Sequence, residues 1–366
     1  MTSLSDKGRR PIALVGPVFP FRAGVAYCTT RLAQELDADV ISFIRQFPKR
    51  FYPGGDDVDP TLPRAQARFI LDILNPLTWI RAGLALRKYD RVVLVWWVWV
   101  WALPYLVLFA LMRRNTRVVL QCHNVGDKEP AAWKRMLSNR VLRRGDVLVV
   151  HAQTEAADAA RRTPKAIVST FLPVHELGGA IPSRGDARRQ LGIGAKNVAL
   201  FFGHVRPFKG LDIALRAWQR IETDALLVVS GEVWWKAEDE YRHLATENVR
   251  LEFRFIPDAE LATYFAACDV VLAPYRIEAQ SGVALTAFHF ARPVIATTVG
   301  GLPEIIDEGK NGMLVPPEDP VALARAVDAF FARGDRETME RHAAESARKY
   351  SWEEYGALFR RLVARE

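Results

Sequence analysis

The stretch FFGHVRPFKGLDIAL, residues 201–215, contains the pattern that decides the fold. The apolar run at residues 198–202 has the length and composition of a parallel strand covered on both faces. Gly203 follows it and allows a turn at which a side chain would collide. An amphipathic helix then begins near Leu211. Strand, glycine turn and helix in this order predict one βα unit of a parallel sheet.

Two cations, Arg206 and Lys209, lie between the turn and the helix. The N-terminus of a helix favours anions through its free N–H groups and its dipole. An arginine beside it can also bind two phosphate oxygens at once. The segment therefore favours a diphosphate site, although a solvated basic turn would contain the same residue types.

Strand-like runs separated by helical segments continue on both sides, and 366 residues are too many for one ordinary core. This alternation predicts an α/β protein with two doubly wound domains. The expected organisation is an N-terminal domain at 1–180, a linker at 181–195, a C-terminal domain at 196–345 and a helix at 346–366. That last helix either caps its own domain or crosses back to the first. Strands are expected at 11–15, 39–43, 91–97, 117–121, 146–151, 198–202, 225–230, 249–255, 269–273, 293–296 and 312–315.

Residues 92–112 form an apolar run without a charge, which is long enough to span a bilayer. Pro104 interrupts the run, and its first part is β-branched and aromatic. A buried strand, an aromatic loop and a buried helix therefore explain the run better than a transmembrane helix does. Its tryptophans exceed what one strand can bury, so some are expected to face an acceptor or a membrane interface.

Charge is distributed unevenly along the chain. Residues 1–180 contain 26 Lys or Arg and 15 Asp or Glu, whereas the remainder contains 24 and 27. A basic first half is typical of a protein that meets an anionic lipid surface, a phosphate-bearing acceptor or nucleic acid. No nucleic-acid motif supports the last of these, so no nucleic-acid partner is expected.

The cysteines and the N-terminus indicate the compartment. Cys28, Cys122 and Cys268 are far apart and are expected to be buried free thiols in a reducing cytoplasm. Residues 1–10 are polar and charged, which does not match a signal peptide.

A second anion cradle is predicted after the strand at 269–273. Gln280, Ser281 and Gly282 open the following helix, where their backbone N–H groups would be available to a phosphate. Glu278 lies at the carboxyl end of the same strand, where ligands bind in open α/β sheets. A carboxylate at that point could also serve only to stabilise the helix N-terminus.

One acidic motif is expected to have no chemical role. Asp57-Val58-Asp59 has the spacing of the DxD metal motif of some transferases, but it lies in a Gly/Pro loop with no strand before it. It is interpreted as solvated surface, and no metal site is expected.

Three segments of the second half, FFGHVRPFKGLDIALRAW, ACDVVLAPYRIEAQSGVALTAF and ARPVIATTVGGLPEIIDEGKNGMLVPPED, resemble glycosyltransferase family 4 of the GT-B superfamily. The first-half segments GPVFPFRAGVAYCTTRLAQEL, VISFIRQFPKRFYPG and VVLQCHNVGDKEP resemble it too, as does the closing YSWEEY. The ordered set covers nearly the whole chain. The resemblance implies two Rossmann-like domains facing a central cleft. It also implies that the second binds a UDP- or GDP-linked sugar, that the first binds the acceptor, and that transfer retains configuration without a metal.

The resemblance also implies roles for individual residues. Arg206 and Lys209 look like the diphosphate clamp, and Glu278 matches the first glutamate of the family's E-x7-E motif. The second glutamate would fall at Thr286 and is absent, although the QSG sequence at 280–282 resembles a branch of the family with this variation. His123 matches a histidine near the donor sugar.

The first domain contributes one further motif. Ala23-Gly24 matches a Gly-Gly loop near the diphosphate, of which only the second glycine survives. The expected catalytic residues are Glu278, His123, Arg206 and Lys209. The expected donor-binding residues are Gly24, Gly203, Arg206, Lys209, Glu278, Gln280, Ser281, Gly282, Val283 and Thr286.

The sequence thus predicts a cytoplasmic glycosyltransferase of hexosyltransferase type, peripheral on the inner face of the plasma membrane. Its acceptor is expected to be lipid-linked or a growing polysaccharide or glycolipid. A sugar-nucleotide epimerase of the same architecture and a non-catalytic nucleotide-sugar-binding scaffold remain alternatives. A glycosidase is disfavoured, because retaining hydrolysis uses two carboxylates about 5 Å apart and Glu278 has no evident second carboxylate.

Overall fold

The computed structural model describes residues 12–22, 24–48, 57–126, 131–176, 180–234, 238–277 and 280–364. Glu278, Ala23 and the N-terminal residues 1–10 lie outside the described residues. The chain divides into two units. Described residues within 1–52, 57–171 and 352–366 form the first unit, and those within 172–351 form the second.

The first unit is a seven-stranded sheet in the order β3-β2-β1-β4-β5-β6-β7, and every neighbouring pair is parallel. Its strands are β1 (Ile12–Val15), β2 (Asp39–Arg45), β3 (Arg68–Asp72), β4 (Arg91–Trp96), β5 (Arg117–Cys122), β6 (Val147–Val150) and β7 (Ala166–Ser169). Its helices are α1 (Gly24–Leu36), α2 (Pro76–Leu86), α3 (Ala102–Leu111), α4 (Ala132–Leu142), α5 (Gln153–Arg162) and α14 (Trp352–Val363). The strand order reverses between β1 and β4, which makes that pair the switch point of the sheet.

The second unit is a six-stranded parallel sheet in the order β10-β9-β8-β11-β12-β13. Its strands are β8 (Val198–Phe202), β9 (Leu226–Ser230), β10 (Val249–Glu252), β11 (Val270–Ala273), β12 (Val294–Thr297) and β13 (Gly312–Val315). Its helices are α6 (Arg184–Leu191), α7 (Leu211–Trp218), α8 (Glu238–Leu244), α9 (Asp258–Ala267), α10 (Gly282–His289), α11 (Leu302–Ile305), α12 (Pro320–Ala332) and α13 (Arg336–Lys349). Here the switch point lies between β8 and β11. The predicted fold class, two doubly wound α/β domains, is confirmed.

Helices cover both faces of the second sheet, so its central strands are apolar along their whole length. One core packs around Phe265 and Phe288, and another packs around Trp218 and Phe330. The three cysteines are buried and free, as expected. Burial raises the pKa of the Cys28 and Cys268 thiols to about 12, so both stay protonated.

The last helix, α14, packs on the first unit. Arg360 donates a hydrogen bond to the Glu35 carbonyl at 2.7 Å, and Arg117 of β5 donates to the Leu362 carbonyl at 2.7 Å. Gly356 permits a close approach to α1, since a Cβ atom there would lie 2.9 Å from Cβ of Glu35. The helix therefore covers α1 and the middle of the first sheet.

The prediction of a linker at 181–195 is wrong, because these residues contain α6. The Ser183 hydroxyl accepts a hydrogen bond from the Asp186 N–H, and the helix ends at Gly192 in the left-handed conformation with φ +63°. Arg188 then donates to the carboxylate of Asp269 at 2.8 Å, and that carboxylate is 5% exposed. Ala187 is the buried residue of this polar helix, and Arg184 and Arg188 attach the helix to the second unit through the buried carboxylate of Asp269. The first unit accordingly ends at residue 171 rather than 180.

Two strands, β3 and β7, were not predicted. Both lie at the edges of the first sheet, where one side of a strand has no neighbour and burial is partial. The run at 92–112 does form a strand, an aromatic 3-10 turn at Trp99–Trp101 and a helix, as expected. Among the described residues, none of the helices has the length and apolar character needed to cross a membrane.

The interpretation of Asp57-Val58-Asp59 as solvated surface is wrong for Asp59, which is 2% exposed. Its carboxylate accepts hydrogen bonds from the backbone and hydroxyl of Thr61 at 2.9 and 2.6 Å. The side chain therefore holds a turn. Across the described part of the chain, no group of three His, Cys, Asp or Glu side chains is placed to hold a metal ion.

Substitutions of two arginines of α6 test whether the ion pair between Arg188 and the buried Asp269 stabilises the fold. Arg188→Ala is expected to lower the free energy of unfolding by about 3 kcal/mol, because it removes the closest cation from a buried carboxylate. Arg189→Ala is the matched control, since its exposed side chain pairs with the exposed Asp186 and its loss should cost about 0.5 kcal/mol or less. Urea unfolding measures the free energy of unfolding of both variants. Equal losses in the two would contradict a stabilising role of the Arg188–Asp269 pair.

Candidate donor site at the switch point of the second sheet

The carboxyl ends of β8 and β11 lie side by side at the switch point of the second sheet. In open α/β sheets this is where ligands bind. The loop after β8, residues 203–210, carries Gly203, Arg206 and Lys209. The loop after β11 runs from residue 274 to Ser281, the N-cap of α10. The fold therefore brings the two predicted anion-binding segments to one edge of one sheet.

Gly203 has φ +101°, a conformation that L side chains rarely adopt. A Cβ atom there would lie 3.6 Å from the Val283 side chain, which is an ordinary contact. The sequence interpretation, that a side chain would collide, is therefore wrong, and the backbone angle is what requires glycine. Val283 packs beside this turn. The Val205 N–H donates to the Glu232 carbonyl at 2.9 Å and fixes the loop to the end of β9.

Arg206 is half-buried and extended, and its guanidinium carbon lies 3.9 Å from the ring centre of Trp234. Trp234 is itself 7% exposed, and its indole N–H donates to Glu232 at 3.2 Å. A planar guanidinium stacked on a fixed indole is oriented before any ligand arrives.

Lys209 ends a 3-10 turn at Pro207–Lys209, immediately before α7. Its Nζ atom lies 3.8 Å from the ring centre of Tyr275, which is 1% exposed. The hydroxyls of Tyr275 and Ser281 lie 3.4 Å apart, so one buried ring contacts both the lysine and the N-cap of α10. Lys209 and the α10 N-terminus are thereby neighbours across Tyr275, a residue that the sequence analysis did not select.

The N-terminus of α10 carries two backbone N–H groups that are candidates for ligand contact. The Ser281 hydroxyl accepts a hydrogen bond from the Ala284 N–H at 3.2 Å. The described residues provide no acceptor for the N–H groups of Gly282 and Val283, and Gly282 is exposed. The eight-residue helix therefore presents the partial positive charge of its N-terminus at this edge of the sheet, and the binding of an anion there stays a prediction.

Arg276 joins the two loops, and the sequence analysis missed it. Its guanidinium donates to both carboxylate oxygens of Asp212 at 2.8 Å, and its backbone N–H donates to the Phe208 carbonyl at 2.7 Å. Burial raises the pKa of Asp212, the hydrogen bonds from Arg276 lower it, and the net shift is downward. Arg276 therefore holds the turn that carries Lys209.

The remaining predicted donor-binding residues of the second unit make hydrogen bonds within the protein or lie outside the described residues. The Gln280 side chain accepts a hydrogen bond from the Leu172 backbone and so fixes the start of α10. Thr286 is 4% exposed, and its hydroxyl donates to the Gly282 carbonyl at 2.8 Å. Its side chain therefore offers no accessible donor to a ligand. Glu278 stays a prediction, because it lies outside the described residues.

In the first unit, His123 follows β5 and lies against His151, with ring centres 5.2 Å apart. His151 is 3% exposed, and its Nε2 atom lies 2.8 Å from the hydroxyl of Tyr355, which also accepts a hydrogen bond from Gln121 at 2.9 Å. By contrast, Nε2 of His123 is buried without a hydrogen-bond partner among the described residues. Buried polar atoms are normally paired, so this nitrogen is a candidate for contact with a ligand or water.

Both imidazoles are neutral at neutral pH. Burial lowers the pKa of His123 to about 4. Burial, and secondarily the neighbouring His123, lowers the pKa of His151 well below its ordinary value. His123 can therefore exchange a hydrogen bond with a hydroxyl group but carries no charge for a phosphate.

Gly24 is the first residue of α1. It is exposed, and a Cβ atom there would contact nothing within 4 Å among its surroundings. No acidic side chain lies in the first turn of this thirteen-residue helix. Packing therefore does not require a glycine at this position, and the contact of Gly24 with a donor stays a prediction.

Comparison with known proteins finds a family match that lies within the second unit. Residues 196–333, within the second unit, match the family described as Glycosyl transferases group 1. The chain is 32% identical over 248 residues to a D-inositol 3-phosphate glycosyltransferase of Corynebacterium efficiens, covering 62% of this chain and 58% of the relative. The chain thus spans less than two thirds of the length of that curated relative.

Solved structures share the fold over nearly the whole chain. Sucrose-phosphate synthase from Thermosynechococcus elongatus has a TM-score of 0.78 at 20% identity and covers 97% of this chain and 99% of its own. HepE from Anabaena, solved in complex with UDP and glucose, has a TM-score of 0.75 at 17% identity and covers 96% and 99%. At these identities the likeness shows the fold alone, which is a pair of Rossmann-like α/β domains.

Alanine substitutions at two glycines distinguish the cost of backbone strain from the cost of breaking a contact between loops. A Cβ atom at Gly210, with φ +69°, would lie 2.0 Å from the Pro274 carbonyl, whereas one at Gly192, with φ +63°, would contact nothing within 4 Å. Gly192→Ala should cost about 1 kcal/mol of unfolding free energy from strain alone. Gly210→Ala should cost more and should also abolish binding of a nucleoside diphosphate in calorimetry, because it separates the two loops. Intact binding in Gly210→Ala would contradict the arrangement.

The half-buried His123, whose pKa desolvation lowers to about 4, predicts a pH dependence of stability. Its folded pKa is depressed, so the unfolded state binds more protons, and stability is lost as pH falls from about 6.5 towards 4. Between about pH 6.5 and 5 this group should cost about 2 kcal/mol. His123→Gln should flatten the fall in melting temperature over that range, whereas His243→Gln, on the exposed surface, should not. Parallel curves for wild type and His123→Gln would refute the assignment.

Proposed function

We propose that this protein is a glycosyltransferase that moves a sugar from a nucleoside-diphosphate sugar to a hydroxyl acceptor, with retention of configuration. The observation that carries the proposal is the contact of Lys209 and of the α10 N-cap with the same buried ring, Tyr275, at the switch point of the second sheet. A diphosphate is the ligand that suits a lysine, an oriented arginine and the N–H groups of a helix N-terminus together.

The chemistry requires stabilisation of a departing diphosphate while the anomeric carbon becomes positively charged. In this proposal Arg206, Lys209 and the N–H groups of Gly282 and Val283 bind the developing negative charge. A preorganised donor of this kind contributes about 3 kcal/mol to the barrier. Charge supplied in this way lets the reaction proceed without a metal. Neutral His123 would hydrogen-bond a sugar hydroxyl, and Glu278 would contact the donor sugar.

The acceptor is proposed to be lipid-linked or a growing saccharide, presented at the inner face of the plasma membrane. The basic first unit supports a phosphate-bearing acceptor, and the relatives named for D-inositol 3-phosphate suggest a soluble phosphorylated polyol as the competing class. Transfer assays with both acceptor classes distinguish them, and NMR of the product reports the anomeric configuration.

A thermal-shift panel of UDP- and GDP-sugars tests the donor site. A donor present at about 100 times its dissociation constant should stabilise the protein by about 2.7 kcal/mol, which raises the melting temperature by a few degrees. Lys209→Ala should abolish this shift and reduce transfer by about a hundredfold or more. Lys349→Ala, at an exposed lysine at the end of α13, should behave as wild type.

Product assays with the donor that this panel identifies discriminate the alternatives. Release of an epimerised sugar without an acceptor would identify an epimerase, and donor binding without turnover on any acceptor would identify a scaffold. A full thermal shift in Lys209→Ala would contradict the clamp itself.

A further inference from the structure

Three neighbouring helices of the first unit expose large apolar side chains. Leu77 is 73% exposed, Leu103 is 54% exposed and Trp133 is 52% exposed, and they lie on α2, α3 and α4 respectively. Ile80, Leu84 and Met136 of the same helices are exposed by 43–48%. We call these six residues the apolar face.

On α2 the exposure is systematic. Leu77, Ile80 and Leu84 are spaced as one stripe of the helix, while Trp79 and Leu86 on the other side are buried in the core. An ordinary surface helix has a polar outer stripe. This helix is apolar on its buried and exposed sides, which indicates that the outer stripe meets something other than water.

The helices that carry the face are packed together. A Cβ atom at Gly83 would lie 2.8 Å from the Leu111 side chain, so α2 and α3 are in close contact. Trp99, just before α3, meets Trp133 of α4 edge to face with ring centres 4.8 Å apart. The exposed apolar residues therefore lie on adjacent elements of one unit.

The surroundings of the face are strongly basic. Residues 73–145 contain 13 Lys or Arg and only 3 Asp or Glu. Exposed cations lie on these helices or within three residues of their C-terminal ends: Arg81, Arg87, Lys88, Arg114, Arg135 and Arg140. Lys134 lies 4.9 Å from the ring of Trp99. Apolar side chains bordered by cations and tryptophans complement an anionic bilayer surface, where the rings and chains enter the interface and the cations meet headgroups.

We propose that the apolar face of α2, α3 and α4 is the surface by which the protein docks on an anionic lipid bilayer. This inference rests on the proposed membrane-presented acceptor and names the part of the molecule that reaches the membrane. The docking is reversible and weakens with salt, because the cations contribute through a screened field.

Flotation with vesicles tests the surface. Wild-type protein should bind vesicles of phosphatidylcholine mixed with phosphatidylglycerol and bind phosphatidylcholine alone about tenfold more weakly. The double variant Leu77→Gln with Leu84→Gln should lose about tenfold or more of this binding. The control Ile181→Gln with Val321→Gln replaces two apolar residues of the second unit, exposed by 50% and 42%, and should bind as wild type.

Wild-type protein that stays free of the anionic vesicles would overturn the proposal, as would equal binding by the two double variants. The proposal would also fail if wild-type protein formed a dimer and did not bind vesicles, and if only the Leu77/Leu84 double variant were monomeric. That result would assign the apolar face to contact with a second copy of the chain. The thermal shift with nucleotide sugars should be unchanged in both double variants. Absence of that shift in wild type would therefore contradict the proposed donor site, whereas absence of flotation would contradict membrane docking by the apolar face.

Discussion

The joining of two loops by Arg276 is the constraint on which the candidate site depends. Its backbone N–H holds the Phe208 carbonyl at 2.7 Å, and its guanidinium holds both oxygens of Asp212 at 2.8 Å. Gly210 lets the backbone pass so close to the Pro274 carbonyl that no side chain fits. The turn bearing Lys209 and the loop leading to α10 are thereby one structure, with their cations and N–H groups fixed in place.

The candidate ligand-binding side chains of the second unit are charged, whereas the histidines of the first unit are neutral. In the second unit, Arg206 and Lys209 lie on aromatic rings, and these contacts orient the two charged groups. In the first unit, burial keeps His123 and His151 uncharged. Charged groups of this kind suit a phosphate ligand, whereas a neutral imidazole suits a hydroxyl group.

The sequence predicted the parts of the fold and site that are local. The βα unit at 198–218 is confirmed because its strand, turn and helix signals are contiguous. Arg276 and Tyr275 could not be selected, since their importance comes from contacts with residues 64 and more positions away. The helix α6 was taken for a linker because its arginines are polar in sequence and acquire a buried partner, Asp269, only on folding. Edge strands such as β7 lack the continuous apolar run that marks central strands.

Calorimetry of a nucleoside diphosphate and the matching monophosphate, on wild type and Lys209→Ala, tests the central claim most directly. If the loop after β8 binds the second phosphate, wild type should prefer the diphosphate, and the preference should fall by about tenfold or more in the variant. Binding of the monophosphate should change little. An unchanged preference in Lys209→Ala would contradict the assignment of a diphosphate site to the switch point of the second sheet.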